Sequence, residues 1–241
     1  MLASLRVLIL LALVAPLWIS SLSAGEGAAV FEVPKIVDVK LDGDAAEWAG
    51  KGLIVTGLKP AEGAARSAPN FDANFKIGWD ERGLLVLVQV TDDVASEPAL
   101  KLEEIWKGDS IEAFVCSDPG KTKAYQLVLA PGRGGEKKEL RTNLSDYRKD
   151  FKGKLAVEAK SMASDKGYTV EILFPWKNLG VEPKPGMEVG LQLFANDVDE
   201  GETRYQAMWF PKPDAHLDSA NMQRLKLVDG AVSAEPVKAE K

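Results

Sequence analysis

The 241-residue chain is expected to be all-β, folding as a single antiparallel β-sandwich of immunoglobulin-like or jelly-roll-like kind. Three observations carry that expectation. Apolar and polar residues alternate over many short stretches, Gly, Pro, Asn and Asp interrupt them at close intervals, and almost no window has a helical period. There is no internal repeat and no second core, and about 200 residues suits one sandwich.

The N-terminus stands apart. Met1 to Arg6 is a short positive start, Val7 to Ile19 is apolar around Pro16, and Ser20 to Ala24 are mostly small. That order is the pattern of a secretory signal peptide over residues 1–24, cleaved near Ala24. It is short for a membrane span, and no cysteine directly follows it to carry a lipid. A secreted or periplasmic product is expected, off the membrane after cleavage. Residues 25–32 are expected to be a linker, 33–228 the sandwich, and 229–241 a disordered tail.

Within the sandwich, Ile36 to Leu41 is extended, the Asp42-Gly43 pair turns the chain, and Ala45 to Ala49 makes one helical turn that buries Trp48. Residues 57–72 read as a loop. Phe75 to Trp79 and Leu84 to Val90 form the clearest hairpin, closed by Asp80-Glu81-Arg82-Gly83. A loop of about a dozen residues leads to Trp106 and the strand Ile111 to Val115. Strands follow at Lys123–Ala130, Leu155–Lys160, Tyr168–Phe174, Val189–Ala195, Arg204–Phe210 and Gln223–Val228. Pro131 to Lys152, rich in Gly, Lys and Arg, reads as excursion loops. Trp48, Trp79 and Trp176 read as core.

A net charge of −6 and the lack of a basic cluster exclude a nucleic-acid partner. The single cysteine, Cys116, allows no internal disulfide and reads as an apolar filler. Zinc is excluded by one His and one Cys. No catalytic constellation is visible: the acids show no opposed pair, and His216 in a loop does not make a triad. The chain is expected to be a non-catalytic monomer.

Glu112 is the residue that needs a reason. It sits among Ile111, Ala113, Phe114 and Val115, where an ionised carboxylate is costly unless hydrogen-bonded or paired. Trp106, six residues upstream, offers a flat apolar face at the sheet rim. An indole beside a fixed acceptor suits a sugar, whose C–H groups stack and whose hydroxyls donate. A core tryptophan and an acid paired with Lys or Arg is the plainer alternative.

The sequence resembles a family 9 carbohydrate-binding module of the DOMON-like sandwich group. The resemblance rests on Asp42-Gly43 to Glu47-Trp48, Trp79-Asp80, Val90-Thr91-Asp92-Asp93, Trp106-Lys107-Gly108-Asp109-Ser110-Ile111-Glu112, Gly167 to Glu171, Pro175-Trp176 and Asn196-Asp197. It implies a partner oligo- or polysaccharide, bound between two tryptophans with a glutamate accepting hydroxyls, in the company of glycan-degrading enzymes. Trp106 matches the first tryptophan and Glu112 the glutamate. The loop after Trp209 lacks the second tryptophan; His216 is its nearest flat ring, and Trp209 is the other aromatic near that position. The family's arginine on the next strand falls at Gln126 or Leu127. The resemblance also implies structural calcium in the loop before Trp106, at Asp92 with Asp93, Glu103 and Glu104 as carboxylates of the right type. Two alternatives remain: a DOMON-like haem domain, with His216 and Met208 or Met222 as axial ligands, and an interaction module that has lost sugar binding.

Overall fold

The computed structural model describes residues 29–133, 139–149, 151–199, 204–210, 212–232 and 235–239. The expected signal peptide and residues 25–28 of the expected linker lie outside these residues.

The strands are β1 (Val30–Pro34), β2 (Leu53–Thr56), β3 (Lys59–Pro60), β4 (Phe71–Trp79), β5 (Gly83–Asp92), β6 (Ser110–Cys116) and β7 (Tyr125–Ala130). They continue as β8 (Arg141–Asp146), β9 (Glu158–Ser164), β10 (Gly167–Pro175), β11 (Glu188–Asp197), β12 (Tyr205–Met208), β13 (Gln223–Val228) and β14 (Val237–Lys238). An eight-stranded sheet runs β1-β13-β11-β6-β7-β8, with β12 added on β11 and β3 on β12. A six-stranded sheet runs β14-β2-β4-β5-β10-β9.

Alternation decides which side chains meet between the sheets. Ile111, Ala113 and Val115 of β6 and Leu127 and Leu129 of β7 join Val86, Val88, Val170 and Ile172 of the other sheet in one buried cluster. Glu112, Phe114 and Cys116 therefore point out of the sandwich. The hairpin β4–β5 pairs Phe71 with Asp92 through to Trp79 with Leu84, as expected. Trp48, Trp79 and Trp176 are buried.

Four boundaries differ from expectation. Part of the expected linker is β1, which pairs parallel with β13, because Val33 is fully buried and Phe31 packs on Trp209 at 5.3 Å between ring centres. The excursion Pro131–Lys152 contains β8. Its outward positions Arg141, Asn143 and Ser145 are polar, so composition hides a strand whose Leu144 packs on the core. The expected tail contains β14, which pairs parallel with β2 and buries Ala239. The sandwich is thus antiparallel except at these two edges. Residues 57–72 contain β3 and the first residues of β4.

The outer face of the six-stranded sheet is covered by the segment between β1 and β2. Ile36, Val39 and Trp48 pack on Leu85, Leu87 and Leu173. The fully buried Glu171 holds that segment down. One of its carboxylate oxygens accepts from the backbone N–H groups of Asp42 and Gly43, both at 2.8 Å, and the other from Trp48 Nε1 at 2.8 Å. Gly43 has φ +94°, and a Cβ there would lie 2.9 Å from the Ser161 carbonyl carbon, so the turn admits glycine only.

Glu171→Ala leaves three donors without their acceptor. A loss of about 3 kcal/mol is expected, seen as a fall in Tm of roughly 6–12 °C. A change within 2 °C would mean that Glu171 does not organise the segment.

Candidate functional site

The outer face of the eight-stranded sheet carries a cleft of about 720 Å³. Its floor follows from register. Glu112 stands opposite Val128, which stands opposite Asn143; Phe114 stands opposite Gln126, which stands opposite Ser145. Trp106 closes one end. It lies on a short 3₁₀ turn, Leu102–Lys107, pinned by Ile105 packing on Val128 and Ala130. Its Nε1 donates to the Glu103 carbonyl at 3.1 Å. The loop comes close behind: a Cβ on Gly108 would lie 2.8 Å from the Ser96 carbonyl oxygen.

Glu112 is 7% exposed and has four donors. Its Oε1 accepts from Asn196 at 2.8 Å, Gln206 at 3.1 Å and Arg204 at 3.4 Å. Its Oε2 accepts from Gln126 at 2.7 Å, which leaves that oxygen one further acceptor direction. Burial raises the pKa of Glu112, opposed by the Asn196 hydrogen bond and the Arg204 charge. The Arg204 guanidinium also lies over the Trp106 ring at 4.8 Å.

Carboxylates cluster at the ends of β5, β6 and β11. Oxygens of Asp92, Asp109 and Asp197 lie within 4.8 Å of one another, as do oxygens of Asp92, Asp93 and Asp199. Arg133 pairs with Asp92, and Arg66 with Asp197 and Asp199. Asp109 accepts from the N–H groups of Ser96 at 2.5 Å and Val198 at 3.1 Å. Oδ1 of Asp197 and Oδ1 of Asp199 are buried and have no hydrogen-bond partner among the described residues. Burial, reinforced by neighbouring acids, pushes Asp109 up to about 8 and Asp197 up to about 7. Clustered carboxylates with orphaned buried oxygens fit a hard divalent cation.

The profile of the family described as "Carbohydrate family 9 binding domain-like" matches residues 41–230. The chain belongs to that family of carbohydrate-binding modules. Endo-1,4-beta-xylanase C of Paenibacillus barcinonensis is 28% identical over 159 residues, 65% of this chain and 14% of that enzyme. Endo-1,4-beta-xylanase A of Thermoanaerobacterium saccharolyticum is 28% identical over 135 residues, 55% of this chain and 10% of that enzyme. The chain thus matches a small part of each. A family 9 module from Caldicellulosiruptor kristjanssonii, solved with cellotriose, superposes with a TM-score of 0.63 at 19% identity, covering 87% of this chain and 99% of that one. The same organism's module solved with glucose gives 0.65 at 19%, covering 86% and 100%. At that identity the likeness is one of fold.

In this family 9 module, Trp106, Glu112, Gln126 and His216 line one cleft. Trp209 does not join them. It follows Met208 on the alternating strand, so it points inward, where it is fully buried against Phe31. Glu103 and Glu104 are not in the carboxylate clusters found among the described residues. The 3₁₀ turn carries Glu103 into the lining of the cleft, and Glu104 pairs with Lys107 at 2.6 Å. Asp109, Asp197 and Asp199 stand with Asp92 and Asp93 instead. Two of these three lie in the motifs Gly108-Asp109-Ser110 and Asn196-Asp197, which the sequence displays. Met208 and Met222 are buried in an apolar cluster with Phe114 and Phe194, which accounts for both side chains by packing. Sequence reasoning missed Arg204, Gln206 and Tyr147. Arg204, just before β12, and Gln206, on it, alternate with the half-buried Tyr205 and the buried Ala207, which is the one signal they leave.

A carboxyl with a raised folded pKa lends stability while protonated, and that stability is lost as pH rises through the folded value. In chelator, Tm of the module should therefore fall between about pH 5 and pH 8, the window set by Asp109 and Asp197. A rise in Tm over that window would contradict the cluster as described.

Proposed function

We propose that the cleft binds a glycan, with Trp106 as a stacking platform and Glu112 as hydroxyl acceptor. The observation that carries this is the pairing of a 36% exposed indole with a carboxylate aimed by three side-chain amides into the same cleft. Arg204 covers part of the indole and brings a guanidinium to the site from β12's side rather than from the strand next to β6. Sugar stacking contributes about 25 cal/mol per Å², so about 100 Å² gives about 2.5 kcal/mol before the cost of immobilisation. One partly covered tryptophan and one acid then give an affinity of roughly millimolar to tens of micromolar. The matches to xylanases support an exported accessory module of glycan degradation, non-catalytic in itself, with its acidic charge keeping it off nucleic acid.

We also propose calcium at Asp92, Asp109 and Asp197, with Asp93 and Asp199 adjoining. A bound cation would add positive charge to that of Arg66 and Arg133, which these five carboxylates outnumber, and would tie the strand ends behind the Trp106 loop.

A glycan screen followed by titration calorimetry tests the first proposal. Trp106→Ala and Glu112→Gln should each weaken binding at least about tenfold, the cost of about 1.4 kcal/mol. Unchanged affinity in both variants would place the sugar elsewhere, and no binding to any glycan would favour an interaction module.

Dialysis against chelator should lower Tm, and calcium should restore it by mass action. Recovery should be larger at pH 8 than at pH 5, because the carboxylates must be ionised to ligate. Absence of metal by elemental analysis together with no response to calcium would remove the ion.

A further inference from the structure

We propose that Tyr147 is a second stacking platform, at the end of the cleft opposite Trp106, so that the module holds two or more consecutive sugar units along β7 and β8. The inference rests on the carbohydrate reading of the cleft and deepens it.

Among the described residues only two aromatic side chains are exposed, Trp106 at 36% and Tyr147 at 37%. Both line this cleft. Chance placement over the whole surface gives no reason for that coincidence, whereas a ligand with repeated apolar ring faces does. The two rings stand at different levels of the sheet. Trp106 is anchored beside Val128 and Ala130, through Ile105. Tyr147 is anchored at Ala124, whose carbonyl accepts its backbone N–H at 3.2 Å. Val128 and Ala124 are four residues apart, about 14 Å of strand. That separation of the two backbone anchors leaves room along the strand for more than one pyranose ring, which is the ground for assigning the two platforms to different sugar units.

Tyr147 is also held in place. Its hydroxyl donates to Gln126 Oε1 at 2.7 Å, and Gln126 in turn donates to Glu112 at 2.7 Å. The His216 ring backs it at 5.9 Å. The next residue, Arg148, is pinned by Asp146 and by the Asn178 carbonyl, and stacks on Phe151 at 4.0 Å. A rigid tyrosine gives contact area at low entropic cost. Between the platforms the floor offers Gln126, Asn143 and Ser145 as polar partners for hydroxyls.

The test is titration calorimetry with two series, glucose, cellobiose and cellotriose, and xylose, xylobiose and xylotriose, against wild type, Tyr147→Ala, Tyr147→Phe and Trp106→Ala. Wild type should bind the trisaccharide of its series at least about tenfold tighter than the monosaccharide. Tyr147→Ala should bring that ratio close to one, and any loss of monosaccharide affinity caused by the missing hydroxyl contact to Gln126 should appear equally in Tyr147→Phe. Tyr147→Phe should keep the ratio, because the ring remains, and Trp106→Ala should weaken every sugar. An unchanged Tm for Tyr147→Ala separates loss of the platform from loss of the fold. A ratio that survives Tyr147→Ala, or equal weakening of mono- and trisaccharide, overturns the second platform and leaves the first intact. Failure of wild type to bind either series or any glycan of the screen removes both.

Discussion

Burial of Glu112 constrains the site more than any other single feature. A carboxylate taken out of water costs several kcal/mol unless its oxygens are satisfied. Here the donors come from different elements: Gln126 from β7, Asn196 from β11, Gln206 from β12, and Arg204 from the residue before β12. Satisfying one side chain therefore sets the register of four strands on the outer face. Asn196 is central. Its amide donates to both Glu112 and Ser110, and its oxygen accepts from Arg204 and Gln206, both at 2.9 Å. The cleft floor is rigid because this network has little slack.

Buried acids are handled in three different ways. Glu171 is capped by two backbone N–H groups and an indole, and serves the fold. Glu112 is capped by amides, with an arginine at longer range, and serves the cleft. The acids Asp92, Asp197 and Asp199 are only partly compensated, by Arg133 and Arg66, and among the described residues Oδ1 of Asp197 and Oδ1 of Asp199 have no hydrogen-bond partner. Incomplete satisfaction is what distinguishes a group of acids with a missing partner from one that is complete. Asp109 and Ser110 are consecutive, as are Asn196 and Asp197. The end of the sheet that gathers the acids is thus continuous with the end that aims Glu112.

The two sheets use their outer faces differently. On the six-stranded sheet, Ile36, Val39 and Trp48 cover an apolar face. On the eight-stranded sheet, the outer face is polar at Gln126, Asn143 and Ser145 and is walled rather than covered, by the Trp106 turn at one end and by Tyr147 with His216 at the other. An uncovered sheet face with aromatic walls is what a ligand of alternating apolar faces and hydroxyl edges requires.

The sequence by itself determined the sandwich, because a period of two over Phe75–Trp79, Leu84–Val90 and Ile111–Val115 leaves one buried face per strand. It also marked Trp106 and Glu112, because a charge inside an apolar strand needs a partner; through the family resemblance it pointed to Asp92 and Asp93, whereas Asp197 stood only within a motif of that resemblance. Tertiary structure alone decided the rest. Tyr147 is 35 residues from Glu112 in the chain and reaches the cleft only because β8 pairs with β7, in a stretch too polar to read as a strand. Arg204 reaches Trp106 only because β12 adds on β11. Trp209 turned inward and Glu103 turned to the cleft because strand parity and a single 3₁₀ turn set their directions. Residues brought together by strand pairing leave no spacing signal along the chain, and strand pairing is what built this site.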